Sequence, residues 1–398
     1  MSKRFALCCG DLCAFQLGLL SSPLAALNEV GCLNHGIGPS GFGWHTEARE
    51  CAEKLCKRMD GQMAVVTGAN SGVGLETTRV LFELGATVIM ACRSAERAEV
   101  AKKDIEGSAK GIGGKPGSIL ILPLDTASLK SVEAFAARIN EMVLPLTLLV
   151  CNAGIMACGF SLTEDGLEYQ YQVNYLSHHY LTLLLADKLK AAPAARVVNV
   201  SSISHAWVPF PGGCCSSVCC FGPFDLSGKR YPAQSGACCA YEPFEDYSYS
   251  KAAQVVMSKE LSRRLFNDAN VIVVSLEPGM SVDSKIGEAS ACLSCVFNYT
   301  CLPVIVGAIV GKSLPRMAST VIYAALADGI AGETQFIPLT FLPLCPPTRK
   351  LTSPLATRFS TLHRNRRRPL PQCQQIVAPR PCQRSHGAPR GAALEPEQ

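Results

Sequence analysis

Short apolar runs alternate with longer amphipathic stretches through the middle of the chain. Met63 to Val66, Thr87 to Ala91, Ile119 to Leu122, Leu148 to Cys151, Val197 to Val200 and Val271 to Leu276 are each four to six residues long and rich in β-branched side chains. Continuous apolar character in so short a run fits a strand buried on both faces. Helical spacing follows in the stretch from Gly74 to about Leu84, and in Leu129 to Met142, Gly166 to Lys190 and Tyr247 to Leu265. Strand and helix repeated six times predict an α/β domain of Rossmann type, a doubly wound parallel sheet with helices on both faces. It runs from about residue 61 to 342.

The flanks lack this rhythm. Residues 1–60 form an extension of mixed composition. Within it, Lys3 and Arg4 precede the apolar stretch Phe5 to Leu20, which reads as a weak signal or anchor, interrupted by Gly10, Asp11 and Gly18. No uninterrupted apolar run reaches the length of a spanning helix, and Leu302 to Gly311 is too short for one. Residues 343–398 are rich in Pro and Arg, with Arg364, Arg366, Arg367 and Arg368 clustered, and read as a disordered tail.

Composition refines this picture. The chain has 398 residues with 48% apolar and 7% aromatic content, enough for a sizeable core. The net charge of +5 is uneven: residues 346–398 hold ten Lys/Arg against two Asp/Glu, so the remainder is close to −3. A basic nucleic-acid binder is thereby excluded for the folded part, and no nucleic-acid partner is expected. Of the 21 cysteines, Cys92 and Cys151 fall at core-like positions, which favours a reducing compartment over a disulfide framework. Cys214, Cys215, Cys219, Cys220, Cys238 and Cys239 lie in an insertion at about 208–242. Neither adjacent pair has the usual zinc-ligand spacing, so they read as free thiols and no metal is expected. His178 and His179 are adjacent on a helix and point apart, which argues against a shared metal.

The chemistry lies in four places. Thr67 opens the turn Gly68-Ala69-Asn70-Ser71-Gly72-Val73-Gly74, directly after a strand and before a helix. Glycines there let the backbone approach a pyrophosphate, and the helix N-terminus offers it free N–H groups. Arg93 ends the second strand where a cofactor with a bare ribose hydroxyl meets an acid; with no acid from Thr87 to Arg93, NADP(H) is favoured over NAD(H). Ser201 and Ser202 end a strand at the sheet's carboxyl edge. Tyr247 and Lys251 are four apart and share a helix face, so the ammonium can draw the phenol's pKa toward the working range.

Together with Cys151-Asn152-Ala153-Gly154, Asn174 and Pro278-Gly279, these motifs closely resemble the short-chain dehydrogenase/reductases. Ala91-Cys92-Arg93, the run Leu162 to Glu168, the run Gln172 to Leu176 and the run Arg196 to Ser202 resemble the branch of the retinol dehydrogenases and WW-domain oxidoreductases. The resemblance covers about Gly61 to Phe336. It implies Tyr247 as general acid/base, Ser202 as the substrate-polarising hydroxyl, and Lys251 as tuner of the tyrosine and holder of the nicotinamide ribose. Asn174 would keep a water that relays protons to Lys251. Asp125 would contact adenine, Asn152, Ala153 and Gly154 would floor the cofactor, and Pro278 and Gly279 would shape its nicotinamide end.

Departures are Cys151 for the usual Asn, Ser177-His178-His179 for Gly-His-Phe, and Glu277 where His is common. With Trp44 and Trp207 the only tryptophans, the paired-tryptophan module is missing. The expected function is NADP(H)-dependent interconversion of carbonyl and alcohol on a lipophilic molecule such as a retinoid, steroid or other lipid or xenobiotic carbonyl. The alternative is a cofactor-binding regulatory or scaffold protein with little turnover. Cytoplasm is the first choice of location and the endoplasmic-reticulum membrane surface, with peripheral contact, the second. The resemblance also suggests a homodimer.

Overall fold

The protein is seen in a computed structural model that describes residues 41–207, 241, 243–264, 266, 270–279, 286, 311–328, 330 and 336–337. The sequence readings on residues 1–40, on the Cys-rich insertion, on most of Leu302 to Gly311 and on the tail lie outside the described residues.

A helix α1 (Ala48–Leu55) precedes β1 (Met63–Thr67), α2 (Gly72–Glu83), β2 (Thr87–Cys92), α3 (Ala95–Ser108), β3 (Ser118–Pro123), α4 (Leu129–Glu141) and β4 (Leu146–Cys151). The next helical region, α5, is composite: Tyr169–Tyr171, a π-helical segment Gln172–Leu176, and Ser177–Leu184. Then come α6 (Ala186–Ala191), β5 (Ala195–Val200), a 3₁₀ turn Ile203–Trp207, α7 (Pro243–Arg264), β6 (Val271–Leu276), α8 (Leu314–Leu326) and β7 (Phe336–Ile337).

The strands form one parallel sheet in the order β3-β2-β1-β4-β5-β6-β7. Order reverses between β1 and β4, and ligands of such sheets bind at the carboxyl edge of that crevice. Six strands are those expected from the apolar runs; the seventh, β7, has two residues and is too short to carry a period.

Strand alternation sends two apolar sets to opposite faces. Ala64, Val66, Val88, Met90, Val198 and Leu276 pack with α1, α2, α3 and α8. Val65, Ile89, Leu149, Val197 and Val273 pack with α4, α5, α6 and α7. The first face also takes in Phe42, Cys51 and Ala52, so the core begins ahead of Gly61. Helix α4 starts at Leu129 because the Ser128 hydroxyl accepts the Ser131 N–H, a standard N-cap. The expected continuous helix from Gly166 to Lys190 is instead interrupted by the π-helical turn and by Leu185, which lies between α5 and α6. Helix α7 opens with Pro243, whose missing N–H costs nothing in a first turn.

Candidate active site

Thr67 ends β1 with its side chain inside the sheet's carboxyl edge. Its hydroxyl oxygen accepts the N–H groups of Asn152 and Ala153, both at 2.9 Å. It also meets His178 Nε2 at 2.9 Å. From the other side, the Asn152 side-chain amide donates to Thr67 O at 2.9 Å and to Gly68 O at 3.4 Å. The turn after β1 is thus tied to the segment after β4, across the switch point.

Two glycines of this turn show why the residue type is required. Gly68 has φ +65°, and a Cβ there would lie 3.0 Å from Ala153 Cα. Gly74 would place a Cβ 2.4 Å from Gly68 O. Gly72, by contrast, faces open space at φ +58°. Beside that space α2 begins at an N-cap, Ser71, whose side chain makes no capping bond, and its first turn holds no acidic residue. Uncapped N–H groups, a positive helix end and room next to Gly72 fit the diphosphate of a dinucleotide. Asn70, Ser71 and Val73 flank the same opening. Asn152 and Ala153 lie against Gly68, and a Cβ on Gly154 would meet Asn174 Oδ1 at 3.3 Å and Lys251 Nζ at 3.5 Å.

Arg93 follows β2 at the same edge, exposed, and its guanidinium donates to the Tyr169 hydroxyl at 3.2 Å. Asp125 follows β3, where its Oδ1 accepts the Ala127 N–H at 2.9 Å. Both therefore border the β2–β3 side of the crevice, each held by a protein partner.

The second cluster gathers Ser202, Tyr247 and Lys251 at the carboxyl edge of β5. Lys251 is buried and its Nζ donates to Val200 O at 2.9 Å, while the Ser201 hydroxyl donates to Lys251 O at 2.9 Å. Nζ stands 5.7 Å from the centre of the Tyr247 ring. Tyr247 is hydrogen-bonded to the Ser202 side chain. Burial pushes the Tyr247 phenol up to about 12, opposed by the Ser202 hydrogen bond and assisted by the Glu277 charge. Burial also pulls Lys251 down to about 7. In this state the phenol is a weaker acid than free tyrosine, the reverse of the shift expected from the sequence. Desolvation of both groups outweighs the attraction between them.

Asn174 lies in the π-helical turn, a widened turn found frequently at functional sites. Its side-chain amide donates to Ile155 O and Ser250 Oγ, both at 2.9 Å, and its Oδ1 accepts the Ile155 N–H at 2.9 Å. Ser250 in turn donates to Tyr247 O at 2.7 Å. The Asn174 carbonyl receives Gln254 Nε2 at 2.7 Å and His178 Nδ1 at 2.9 Å, which fills both its lone pairs. A water held by this residue would have to bind at Oδ1.

The site residues named from sequence all reach this edge, with Pro278 and Gly279 (φ +108°) directly after β6. Sequence reasoning passed over the Thr67 hydroxyl and His178. The signal was available: His178 stands four residues after Asn174, on the same helical face. Among the described residues no group of side chains is arranged to hold a metal, and no helix is long and apolar enough to cross a membrane.

The family model described as short chain dehydrogenase matches residues 62–216. Retinol dehydrogenase 13 of Homo sapiens is 36% identical over 271 residues, covering 68% of this chain and 74% of that protein. The chain belongs to the short-chain dehydrogenase family. Within this family it is also similar to retinol dehydrogenase 12 of Mus musculus, 35% identical over 69% of this chain and 76% of that one. WW domain-containing oxidoreductase of Danio rerio is 34% identical over 69% of this chain and 60% of its own length. A solved structure of an uncharacterised Mycobacterium paratuberculosis protein, 28% identical, aligns with TM-score 0.52 over 76% of this chain and 87% of the other. As a short-chain dehydrogenase, the protein is an oxidoreductase built on the Rossmann-type sheet described above.

Proposed function

We propose that this short-chain dehydrogenase interconverts a carbonyl and an alcohol on a lipophilic small molecule, with NADP(H) as cofactor. The observation that carries the reading is the cluster of half-buried Ser202 with buried Tyr247 and Lys251, beside a turn shaped for a diphosphate. The names of the relatives, retinol dehydrogenases 12 and 13, support a retinoid, steroid or other lipid carbonyl as substrate class.

A bound nicotinamide cofactor supplies or accepts the hydride and, when oxidised, brings a positive ring to the site. The protein's part is binding, orientation and proton transfer. The Gly68–Gly74 turn and the α2 N-terminus take the diphosphate. Arg93 is the group suited to a ribose phosphate, since no acid stands at that strand end. The Ser202 hydroxyl donates to the substrate oxygen, and the Tyr247 hydroxyl gives that oxygen its proton during reduction and removes it during oxidation. Lys251 binds the nicotinamide ribose and supplies positive charge that lowers the cost of a phenolate. Asn174 fixes the start of α7 through Ser250 and so keeps Tyr247 aimed. We place this activity in the cytoplasm, with a homodimer as the expected assembly.

The deciding experiment compares NADPH and NADH binding by nicotinamide fluorescence in wild type and Arg93→Ala. Tight NADPH binding that weakens selectively in the variant is expected, followed by turnover in a screen of lipophilic carbonyls. Folded protein that binds neither nucleotide would overturn the reading in favour of a scaffold role.

A further inference from the structure

Glu277 is a carboxyl group where a charge is expensive. It follows β6 directly and only 6% of it is exposed. Strand register fixes its neighbourhood: Val200 pairs with Leu276, and the Ser201 N–H donates to Leu276 O at 2.8 Å. Glu277 is therefore level with Ser201 and next to Ser202. Ser202 is in turn hydrogen-bonded to Tyr247, so the register brings Glu277 to the strand end beside the Ser202–Tyr247 pair.

A third element completes the cluster. Lys312, just ahead of α8, is 2% exposed, and its ammonium lies 4.9 Å from the centre of the Trp44 ring. Its charge acts on Glu277, and the charge of Glu277 acts on Tyr247. Further ionisable groups around it are Lys251 and Asp246 on α7, His178 on α5, and His205, whose Nδ1 is 2.6 Å from Ser202 O.

We propose that Glu277, under the charge of Lys312, is a positioning residue that sets the electrostatic environment of Tyr247 and thereby the pH range in which the tyrosine exchanges its proton. This rests on the acid/base role of Tyr247 given above. A buried carboxylate close to a phenol disfavours the phenolate, and a neutral carboxylic acid does not. Burial pushes the Glu277 carboxyl up to about 7 against the opposing charge of Lys312, so its charge changes near neutral pH. As pH rises through that value the carboxylate forms, and phenolate formation at Tyr247 moves to higher pH.

The test compares wild type with Glu277→Gln, which keeps shape and removes the charge, and with Lys312→Met. The pH profile of kcat/KM for alcohol oxidation is expected to rise at lower pH in Glu277→Gln, by half a pH unit or more, which is about threefold at a fixed pH on the rising limb. The carboxyl's share of the wild-type inflection near neutral pH should be lost in that variant, leaving the share of Lys251. Lys312→Met should move the inflection upward, because the carboxylate loses its counter-charge. A second measurement needs no turnover: the phenolate absorbance of Tyr247, isolated as wild type minus Tyr247→Phe, should titrate at lower pH in the Glu277→Gln background. Superimposable profiles, or an unmoved phenolate titration where no turnover is found, would overturn the proposal. A shifted titration in a protein that binds no nucleotide would sustain it while removing the enzyme reading.

Discussion

The hydroxyl of Thr67 lies 2.9 Å from Nε2 of His178, and both groups are fully buried. The bonds around them fix the protons. Thr67 Oγ1 already accepts two backbone N–H groups, which leaves its own proton to Nε2 at 2.9 Å and, more distantly, to Val150 O at 3.4 Å. The other ring nitrogen then carries the hydrogen and donates to Asn174 O. Neutral His178 with its hydrogen on Nδ1 satisfies these partners, and burial favours the neutral ring. One imidazole thus spans from the strand end that opens the glycine turn to the helix segment that bonds α7 near Tyr247.

This arrangement makes the protein sensitive to acid in a defined window. Burial pulls His178 down to about 4 from the ordinary 6.5. Between these values the unfolded chain binds a proton that the folded chain does not, so stability falls as pH drops through the window. His178→Phe should lose about 1–3 kcal/mol at neutral pH, the cost of unsatisfied buried partners. It should also show a flatter pH dependence of melting temperature from 6.5 to 4 than wild type. Parallel curves for the two proteins would contradict the assigned tautomer.

Lys251 gives a window of opposite interest. Its ammonium is pulled from 10.5 to about 7 by burial, so wild-type stability rises with pH across that interval. Lys251→Met removes the buried charge. The variant should melt above wild type at and below pH 7, with the gap closing toward pH 10.5, and should lose turnover. Differential scanning measurements at several pH values check the sign directly.

The two glycines of the turn should respond differently to the same methyl group. Gly72→Ala meets no neighbour and pays only for a left-handed backbone, about 1–2 kcal/mol. Gly74→Ala drives a Cβ into Gly68 O, and α2 must shift to accommodate it. Nucleotide affinity should therefore fall further in Gly74→Ala than in Gly72→Ala, measured by fluorescence titration of the two variants.

Tyr247→Phe should reduce turnover by about a hundredfold or more, the usual contribution of a positioned acid/base group. Nucleotide binding and melting temperature should change little, because the ring stays packed. Undiminished turnover would transfer the proton role to another group.

Sequence made the sheet legible because parallel strands buried on both faces leave unbroken apolar runs, as in Val271 to Leu276. It made the closeness of Tyr247 and Lys251 legible because a separation of four on a helix is a geometric statement. It hid β7, whose two residues carry no pattern, and α1, whose polar exposed face masks the buried Ala48, Cys51 and Ala52. The π-helical turn at Asn174 was also hidden, since widening one turn leaves no mark on composition. Most telling is the phenol of Tyr247. Spacing placed a lysine beside it, but only packing reveals that burial holds back both charges.

The bonds at Thr67 also constrain the order in which the molecule can assemble. Thr67 is separated from Asn152 by 85 positions and from His178 by 111. The turn that follows β1 emerges early during synthesis, yet nothing local holds its threonine. It must wait until β4 has been inserted beside β1 and the histidine-bearing helix has docked. Contacts so distant along the chain form late and slow folding. A nascent chain halted before residue 152 would carry the full glycine turn without any of these partners, and nucleotide could act as a folding ligand only after that point.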